Sequence, residues 1–234
     1  MPRVALLTSG QRPFAKAVHT NLPRLTNKTH LVVVLADKPC EGFRYFEAET
    51  DIPTVLLDYD AQGRAENDAR IMAALAAHQV DVVLLNYDRL VGAELLAAYE
   101  GRVFNHHMAL LPAFKGLGAP RRTYGHSTLF YGSTIHVVNQ AMDEGPIVGQ
   151  VVLAREPGES FATFEARHFE HTVLLCLDFL VRIGLDTLLM VDNQPRFEQA
   201  HYGQLPFNPA LCIDTGVVQW AGVLQPIGAE VPAS

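Results

Sequence analysis

The sequence of 234 residues has few of the features that mark secreted, membrane or nucleic-acid-binding proteins. Its three cysteines, Cys40, Cys176 and Cys212, are odd in number and lack CxxC spacing, so we expect reduced, buried thiols. Eighteen basic against 25 acidic residues give a net charge of −7, which argues against non-specific DNA or RNA binding. The apolar run at the start is too short for a signal peptide, and we expect a cytoplasmic protein.

No apolar stretch is long and uncharged enough to cross a membrane. The most apolar region, Thr172 to Val191, is interrupted at spacing four by Asp178, Arg182 and Asp186. On a helix these residues form one polar stripe with opposite charges four positions apart. The pattern predicts an amphipathic helix that faces the core.

Several common site motifs are also absent. The sequence has no GxxxxGK(S/T) phosphate loop and no GxSxG nucleophile elbow. Gly116-Leu-Gly118 lacks a third glycine and does not follow a predicted strand at the required offset, so a dinucleotide site fits poorly there.

The first half alternates short, continuous apolar runs with helical stretches. The predicted strands are Val4–Thr8, His30–Ala36, Thr54–Leu57, Asp81–Leu85 and a fifth that opens at Arg102–Phe104, with a helix at Glu66–Ala77. Pro13 is suited to open a further helix. Continuous apolar runs indicate a parallel sheet covered on both faces, so we predict the α/β class, with a doubly wound, mainly parallel sheet. Ligand sites in such folds lie beyond the carboxyl ends of the strands.

The second half has a different pattern. Two strands, Ser133–Asn139 and Ile147–Ala154, predict an antiparallel extension, and a long helix runs from about Ser160 to Ile183. Leu188–Phe197 predicts a hairpin that turns at Asp192-Asn193-Gln194. Beyond Tyr202 the chain is rich in proline, so we predict one α/β domain over residues 1–200 and an irregular appendage over 201–234.

Polar side chains with useful chemistry follow the fifth strand. Asn105 and His107 lie at its carboxyl end, His136 lies in a later strand, and Asp143 lies in a turn. An amide can donate to a developing oxyanion, an imidazole can move a proton near neutral pH, and a carboxylate can orient that imidazole. Together these groups can perform acyl transfer without a nucleophilic side chain.

The same residues have simpler interpretations. Asn105 can cap a turn, His136 can be a half-buried strand histidine, and Asp143 can be an ordinary turn residue. A metal site built from His106, His107, His136 and Asp143 is a further alternative, but the spacing matches no zinc motif, so we predict no metal.

Four motifs in order resemble one family. They are Asn105-His106-His107, Leu110-Leu-Pro-Ala-Phe-Lys-Gly116, Gly132-Ser-Thr-Ile-His136, and Asp143-Glu-Gly-Pro-Ile147 followed by Gln150. This order and spacing is similar to that of the folate-dependent formyltransferases, which include the glycinamide ribonucleotide transformylases and the catalytic domain of methionyl-tRNA formyltransferase. The resemblance covers about Arg3 to Phe197. It implies a Rossmann-like formyltransferase fold that uses N10-formyltetrahydrofolate as formyl donor to a small-molecule amine.

The resemblance also implies residue roles. Asn105 would bind the formyl oxygen, His107 would stabilise the tetrahedral intermediate and assist proton transfer, and Asp143 would orient His107 and help move the proton through water. His136 would have a supporting role, and His106 would not be catalytic. The backbone of two segments would hold the pterin: Arg89, Leu90 and Val91, and Ala141, Met142 and Asp143. The Leu111–Pro112 bond is expected to be cis.

The acceptor side departs from the family. The family's phosphate-gripping loop is replaced by Ser9, Gly10, Gln11 and Arg12, followed by Pro13, which has no N–H to donate. Arg12 would supply charge instead. Arg167 and Glu170 occupy positions where the family has acceptor contacts. The acceptor expected from size is glycinamide ribonucleotide, an intermediate of purine biosynthesis, with an amino sugar or an amino-acid-type amine as alternatives.

Two other functions remain open from the sequence. The same residues could pass the formyl group to water, as in a formyltetrahydrofolate hydrolase that releases formate. The fold could also serve as a non-catalytic protein that binds a folate or a nucleotide.

Overall fold

The computed structural model describes residues 1–10, 13–185, 188–192 and 194–221. The helices are α1 Phe14–Leu25, α2 Glu41–Glu49, α3 Tyr59–Ala77, α4 Ala93–Ala98, α5 Ala119–Gly125 and α6 Phe161–Gly184. The strands are β1 Arg3–Thr8, β2 His30–Ala36, β3 Thr54–Leu56, β4 Val82–Asn86, β5 Val103–His107, β6 Phe130–Val137, β7 Ile147–Ala154, β8 Leu188–Val191, β9 Gln194–Phe197 and β10 Phe207–Asn208.

The apolar runs form one mixed sheet, as predicted for the α/β class. Its strand order is β10-β7-β6-β5-β4-β1-β2-β3, and β8 with β9 forms a separate hairpin. Strands β1 to β5 pair in parallel, whereas β6, β7 and β10 add antiparallel pairs. The direction in which successive strands are added reverses between the neighbours β1 and β4, and such a switch point leaves a crevice at the carboxyl edge of the sheet.

Each parallel strand divides its side chains between two apolar layers because successive residues point to opposite faces. On β5, Phe104 belongs to the layer that contains Phe14 of α1 and Phe179 of α6. Its neighbour Val103 belongs to the layer that contains Leu75 of α3 and Leu95 of α4. We call these the α1/α6 face and the α3/α4 face. Any side chain on β5 can therefore be assigned to one face by its position.

Some boundaries differ from the prediction. Strand β6 begins at Phe130 and ends at Val137, earlier at both ends than predicted. Helix α3 begins at Tyr59 and not at Glu66, because Asp58 caps it by accepting from the Ala61 amide, and Gly63 kinks it with φ of 72°. Pro13 precedes the first residue of α1 as its N-cap.

The C-terminal helix confirms the predicted charge pairing. Arg182 Nε donates to Asp178 Oδ2 at 2.7 Å, and both side chains are buried. Asp178 Oδ1 also accepts from the Cys212 amide, and Arg182 donates to the Ala210 carbonyl. The buried ion pair of α6 therefore binds the segment that follows β10. Asp186 lies outside the described residues. Among the residues described, no helix is long and apolar enough to span a membrane.

The segment after Tyr202 contributes one edge strand, β10, to the main sheet. The division at residue 200 stays a prediction. Cys40, Cys176 and Cys212 are free thiols, as expected, but Cys212 is exposed, so the expectation that all three are buried was wrong. Cys212 lies in the proline-rich segment that follows β10.

Candidate active site

A cavity of about 550 Å³ opens at the carboxyl edges of β4 and β5. This volume suits a small organic ligand. Its lining includes the predicted residues Asn105, His107, His136 and Asp143. Asn105 and His107 lie on the α3/α4 face of β5, His136 faces them from β6, and Asp143 comes from the loop after β6. The structure therefore brings together an amide, two imidazoles and a carboxylate from separate motifs.

Asn105 is oriented by His136. The Val137 carbonyl lies 3.0 Å from His136 Nδ1 and can only accept, so this nitrogen carries a hydrogen. In the neutral ring, Nε2 then accepts from Asn105 Nδ2 at 3.3 Å. One N–H of the Asn105 amide is thereby used, and the second remains for a ligand oxygen in the cavity.

His107 has an equally defined orientation. Its Nε2 donates to the Phe114 carbonyl at 2.9 Å, which leaves the lone pair of the neutral ring on Nδ1. Nδ1 lies 3.5 Å from Asp143 Oδ2. Burial lowers the pKa of His107 below its usual value, and Asp143 offsets part of that effect. The ring is therefore neutral at pH 7, and its basic nitrogen faces a carboxylate that stabilises a proton taken up there.

Asp143 is held in a left-handed backbone conformation, with φ of 54°. Such a conformation costs a residue other than glycine about 1 kcal/mol or more, and it occurs mainly where the surroundings require it. Asp143 Oδ2 accepts from the Gly116 amide at 2.7 Å, and Oδ1 lies 3.5 Å from His136 Nε2. Burial acts to raise the pKa of this carboxyl group, but His136 and His107 in their protonated forms, together with the Gly116 amide, outweigh it and lower the pKa to about 2.

The loop that binds His107 depends on Arg122, a residue that sequence reasoning did not assign. Arg122 Nη2 donates to the Phe114 carbonyl at 2.7 Å, to the Lys115 carbonyl, and to the Gly116 carbonyl at 3.3 Å. It therefore holds both the Phe114 carbonyl, which accepts from His107, and the residue Gly116, whose amide donates to Asp143. No local motif marks such an exposed arginine; only the three-dimensional path of the loop does.

Two further motif residues hold the chain just after β5. Thr134 Oγ1 donates to the Ala109 carbonyl and accepts from the Leu111 amide, and Gln150 Nε2 donates to Thr134 at 3.0 Å. Leu111–Pro112 is cis, as predicted. Gly145 packs against β6 so closely that a Cβ there would lie 1.6 Å from the Val137 carbonyl oxygen, which explains glycine after Asp143-Glu144.

The residues predicted to hold a pterin line the cavity in two segments: Arg89, Leu90 and Val91, and Ala141, Met142 and Asp143. The Arg89 side chain donates to Asp37 at 2.8 Å and stacks over the ring of Tyr59, so it is already engaged. Among the described residues, its backbone amide and carbonyl have no hydrogen-bond partner, as the predicted backbone recognition of a flat ring requires. Their role as ligand contacts stays a prediction.

The predicted acceptor residues have mixed positions. Ser9 is buried, and its hydroxyl accepts from the Asp88 amide, while Gly10 packs beside Asn86. Gln11 and Arg12 lie outside the described residues. Arg167 forms ion pairs with Glu159 at 2.6 Å and with Glu156 at 3.3 Å. Neither Arg167 nor Glu170 is part of the cavity lining, and their role in binding stays a prediction.

Known proteins with similar sequences identify the family to which this chain belongs. Residues 2–176 match the family model described as formyl transferase. Phosphoribosylglycinamide formyltransferase of Bacillus subtilis (strain 168) is 29% identical over 169 residues, which cover 71% of this chain and 87% of that protein. Formyltetrahydrofolate deformylase of Escherichia coli (strain K12) is 36% identical over 104 residues, which cover 44% of this chain and 37% of the deformylase.

The fold is similar to that of a solved structure. Glycinamide ribonucleotide transformylase 1 from Symbiobacterium toebii aligns with a TM-score of 0.77 and 27% sequence identity, and the alignment covers 84% of this chain and 94% of that one. The likeness therefore extends over most of this transformylase and of the Bacillus subtilis formyltransferase, and over about a third of the deformylase.

Proposed function

This chain belongs to the formyl transferase family, and on that basis we propose that it transfers the formyl group of N10-formyltetrahydrofolate to the amine of glycinamide ribonucleotide. The observation that carries the proposal is the arrangement of Asn105, His107 and Asp143 around one cavity. It is supported by the likeness to the Bacillus subtilis enzyme over 87% of that enzyme's length.

The folate donor supplies an electrophilic one-carbon carbonyl, and the protein supplies the groups that manage charge and protons. The bond from the formyl carbon to N10 breaks, a bond to the acceptor nitrogen forms, and one proton moves from the amine to N10. Asn105 donates its second amide N–H to the formyl oxygen as negative charge develops there. His107 Nδ1 takes up the amine proton, and the Asp143 carboxylate at 3.5 Å stabilises the charged imidazole.

The cavity suits a folate donor in its shape and its chemistry. Its walls on the α3/α4 side are apolar and include Leu90, Val91 and Leu96, against which a flat ring can lie. Backbone amides and carbonyls of Arg89 and Leu90 can donate to and accept from a pterin edge, whereas the Val91 carbonyl already accepts from Arg64 Nη2 at 3.3 Å.

The direct test mixes the protein with N10-formyltetrahydrofolate and, side by side, glycinamide ribonucleotide, hydroxyornithine and an amino-sugar nucleotide. We expect rapid formylation of glycinamide ribonucleotide and little formate without an amine. Asn105→Ala and His107→Ala controls should lose turnover. Formate release from water at a rate that equals transfer would instead favour a deformylase, and no turnover with any acceptor would overturn the proposal.

A further inference from the structure

A row of polar side chains lies at the carboxyl edge of the sheet on its α1/α6 face. Thr8 ends β1, Asn86 ends β4, and the two residues are paired in register. Leu85 pairs with Asn105, so the next step along both strands places Asn86 beside His106. Thr8, Asn86 and His106 each alternate with residues of the α3/α4 layer and so point to the opposite face. We call these three residues the polar row.

His106 is the unsatisfied member of the polar row. The residue is 8% exposed, and neither ring nitrogen has a hydrogen-bond partner among the residues that the structure describes. By contrast, Asn86 Nδ2 donates to Thr8 Oγ1 at 3.3 Å. A buried polar group without a partner is costly, and native proteins retain few of them without a functional reason.

The surroundings of His106 keep it neutral. The ring of Phe14, the first residue of α1, lies against it with centroids 4.3 Å apart. Burial, helped by the nearby imidazoles of His107, His136 and His168, lowers the pKa of His106 to about 3. A neutral imidazole offers one donor and one acceptor, so the unused capacity of His106 matches an uncharged polar group.

The polar row lies where the second substrate must approach. The segments proposed to hold the donor, from Arg89 to Val91 and from Ala141 to Asp143, lie on the side of Asn105 and His107. The donor therefore occupies the α3/α4 side of β5. The amine has to reach the formyl carbon from the remaining side of the cavity, and His106 and Asn86 belong to the lining of that cavity.

We propose that His106, supported by Asn86, is a specificity-determining residue that hydrogen-bonds an uncharged hydroxyl or amide group of the acceptor close to its reacting amine. This inference rests on the proposed function. Thr8, Asn86 and His106 carry no charge at pH 7, so the row selects amines whose neighbouring group is neutral and polar. A glycinamide or an amino sugar has such a group, whereas a simple alkyl amine does not.

The test compares His106→Leu and His106→Asn with the wild type. Leu removes both hydrogen-bonding groups, and Asn retains a donor and an acceptor on a shorter side chain. We expect His106→Leu to raise the KM for glycinamide ribonucleotide about three- to tenfold, the range of one neutral hydrogen bond, and His106→Asn to recover part of it. The Kd of a folate analogue should not change. Ile135→Val, at the register partner of His106, serves as the packing control and should leave both values unchanged.

The outcomes separate this inference from the proposed function. If the wild type formylates the acceptor and His106→Leu leaves its KM unchanged, the role of His106 is wrong while formyl transfer stands. If the wild type formylates none of the acceptors, the proposed function fails. Should His106→Leu fold poorly, the imidazole nitrogen NMR signals of His106 in the wild type give the answer. They should shift on adding glycinamide ribonucleotide and not on adding a folate analogue, and the absence of a shift with the acceptor overturns the inference.

Discussion

The two faces of β5 differ in how their polar atoms are satisfied. On the α3/α4 face, Asn105 and His107 are held by His136, Phe114 and Asp143 at distances of 2.9 to 3.5 Å. On the α1/α6 face, one residue away, both nitrogens of His106 are buried without a partner in the described part of the chain. Adjacent residues of one strand thus show opposite hydrogen-bonding states.

This difference matches two different tasks. Groups that move protons and stabilise charge must be oriented before the substrate arrives, because reorganisation during the reaction raises the barrier. A group that only recognises a substrate can remain unpaired until the substrate supplies its partner. A substrate that lacks this partner binds more weakly, because the buried group then stays unpaired in the complex. A cluster whose side chains are already oriented by hydrogen bonds therefore suits chemistry, and an unpaired buried group beside it suits recognition.

The largest expected effect tests the paired face. Asp143→Asn keeps the shape of the side chain but removes the charge that stabilises a proton on His107 Nδ1. We expect kcat to fall about 10²- to 10⁴-fold, the usual contribution of acid–base catalysis, while the affinity for a folate analogue changes little. Steady-state kinetics and equilibrium binding measure the two quantities.

The matched control for Asp143 is its neighbour Glu144. This carboxylate accepts from Lys115 at 2.7 Å and is about half exposed, so Glu144→Gln should leave kcat within about twofold of the wild type. If Asp143→Asn retained more than a tenth of wild-type kcat, the carboxylate would not be part of the proton path.

The second prediction concerns the unpaired face and the pH dependence of stability. The pKa of His106 is about 3 in the folded protein against 6.5 for the free side chain, so the unfolded chain binds the additional proton. The free energy of unfolding should therefore fall by about 1.4 kcal/mol for each pH unit between about 6.5 and 3, and this contribution should level off below pH 3. Above pH 6.5 this residue should make no pH-dependent contribution.

Urea unfolding of the wild type and of His106→Leu at several pH values isolates this effect. The difference in stability between the two proteins should be constant at high pH and should change in favour of the variant on acidification. Parallel pH curves for the two proteins would mean that His106 binds a proton equally well in the folded and the unfolded state. The two faces of β5 would then not differ in the way that their polar atoms are satisfied.

Much of this arrangement could be predicted from the sequence because it depends on local pattern. Continuous apolar runs predict buried parallel strands, and the carboxyl end of β5 then places Asn105 and His107 at the sheet edge. The left-handed conformation of Asp143 could not be predicted, since the Gly116 amide that holds its side chain lies 27 residues earlier in the chain. The two-residue strand β10 was missed for a similar reason: it forms only by pairing with β7 and has no pattern of its own.

Arg122 gives the smallest expected effect and shows whether the paired face depends on its loop. Its Nη2 atom donates to three successive carbonyls, and the shorter side chain of lysine keeps the charge but does not place its ammonium group at this position. We expect Arg122→Lys to lower kcat about tenfold without moving the acid limb of the pH–rate profile. Arg122→Met should lower kcat similarly and also move that limb to higher pH, because the positive charge that lowers the pKa of His107 is lost.

The control is Arg121→Met. The Arg121 side chain lies over Phe161, so this change should alter neither kcat nor the acid limb. If Arg122→Met has wild-type kcat and an unmoved acid limb, the alignment of His107 does not depend on the hydrogen bonds of Arg122 to the loop. Asp143 and His136 alone must then orient the side chains on the α3/α4 face.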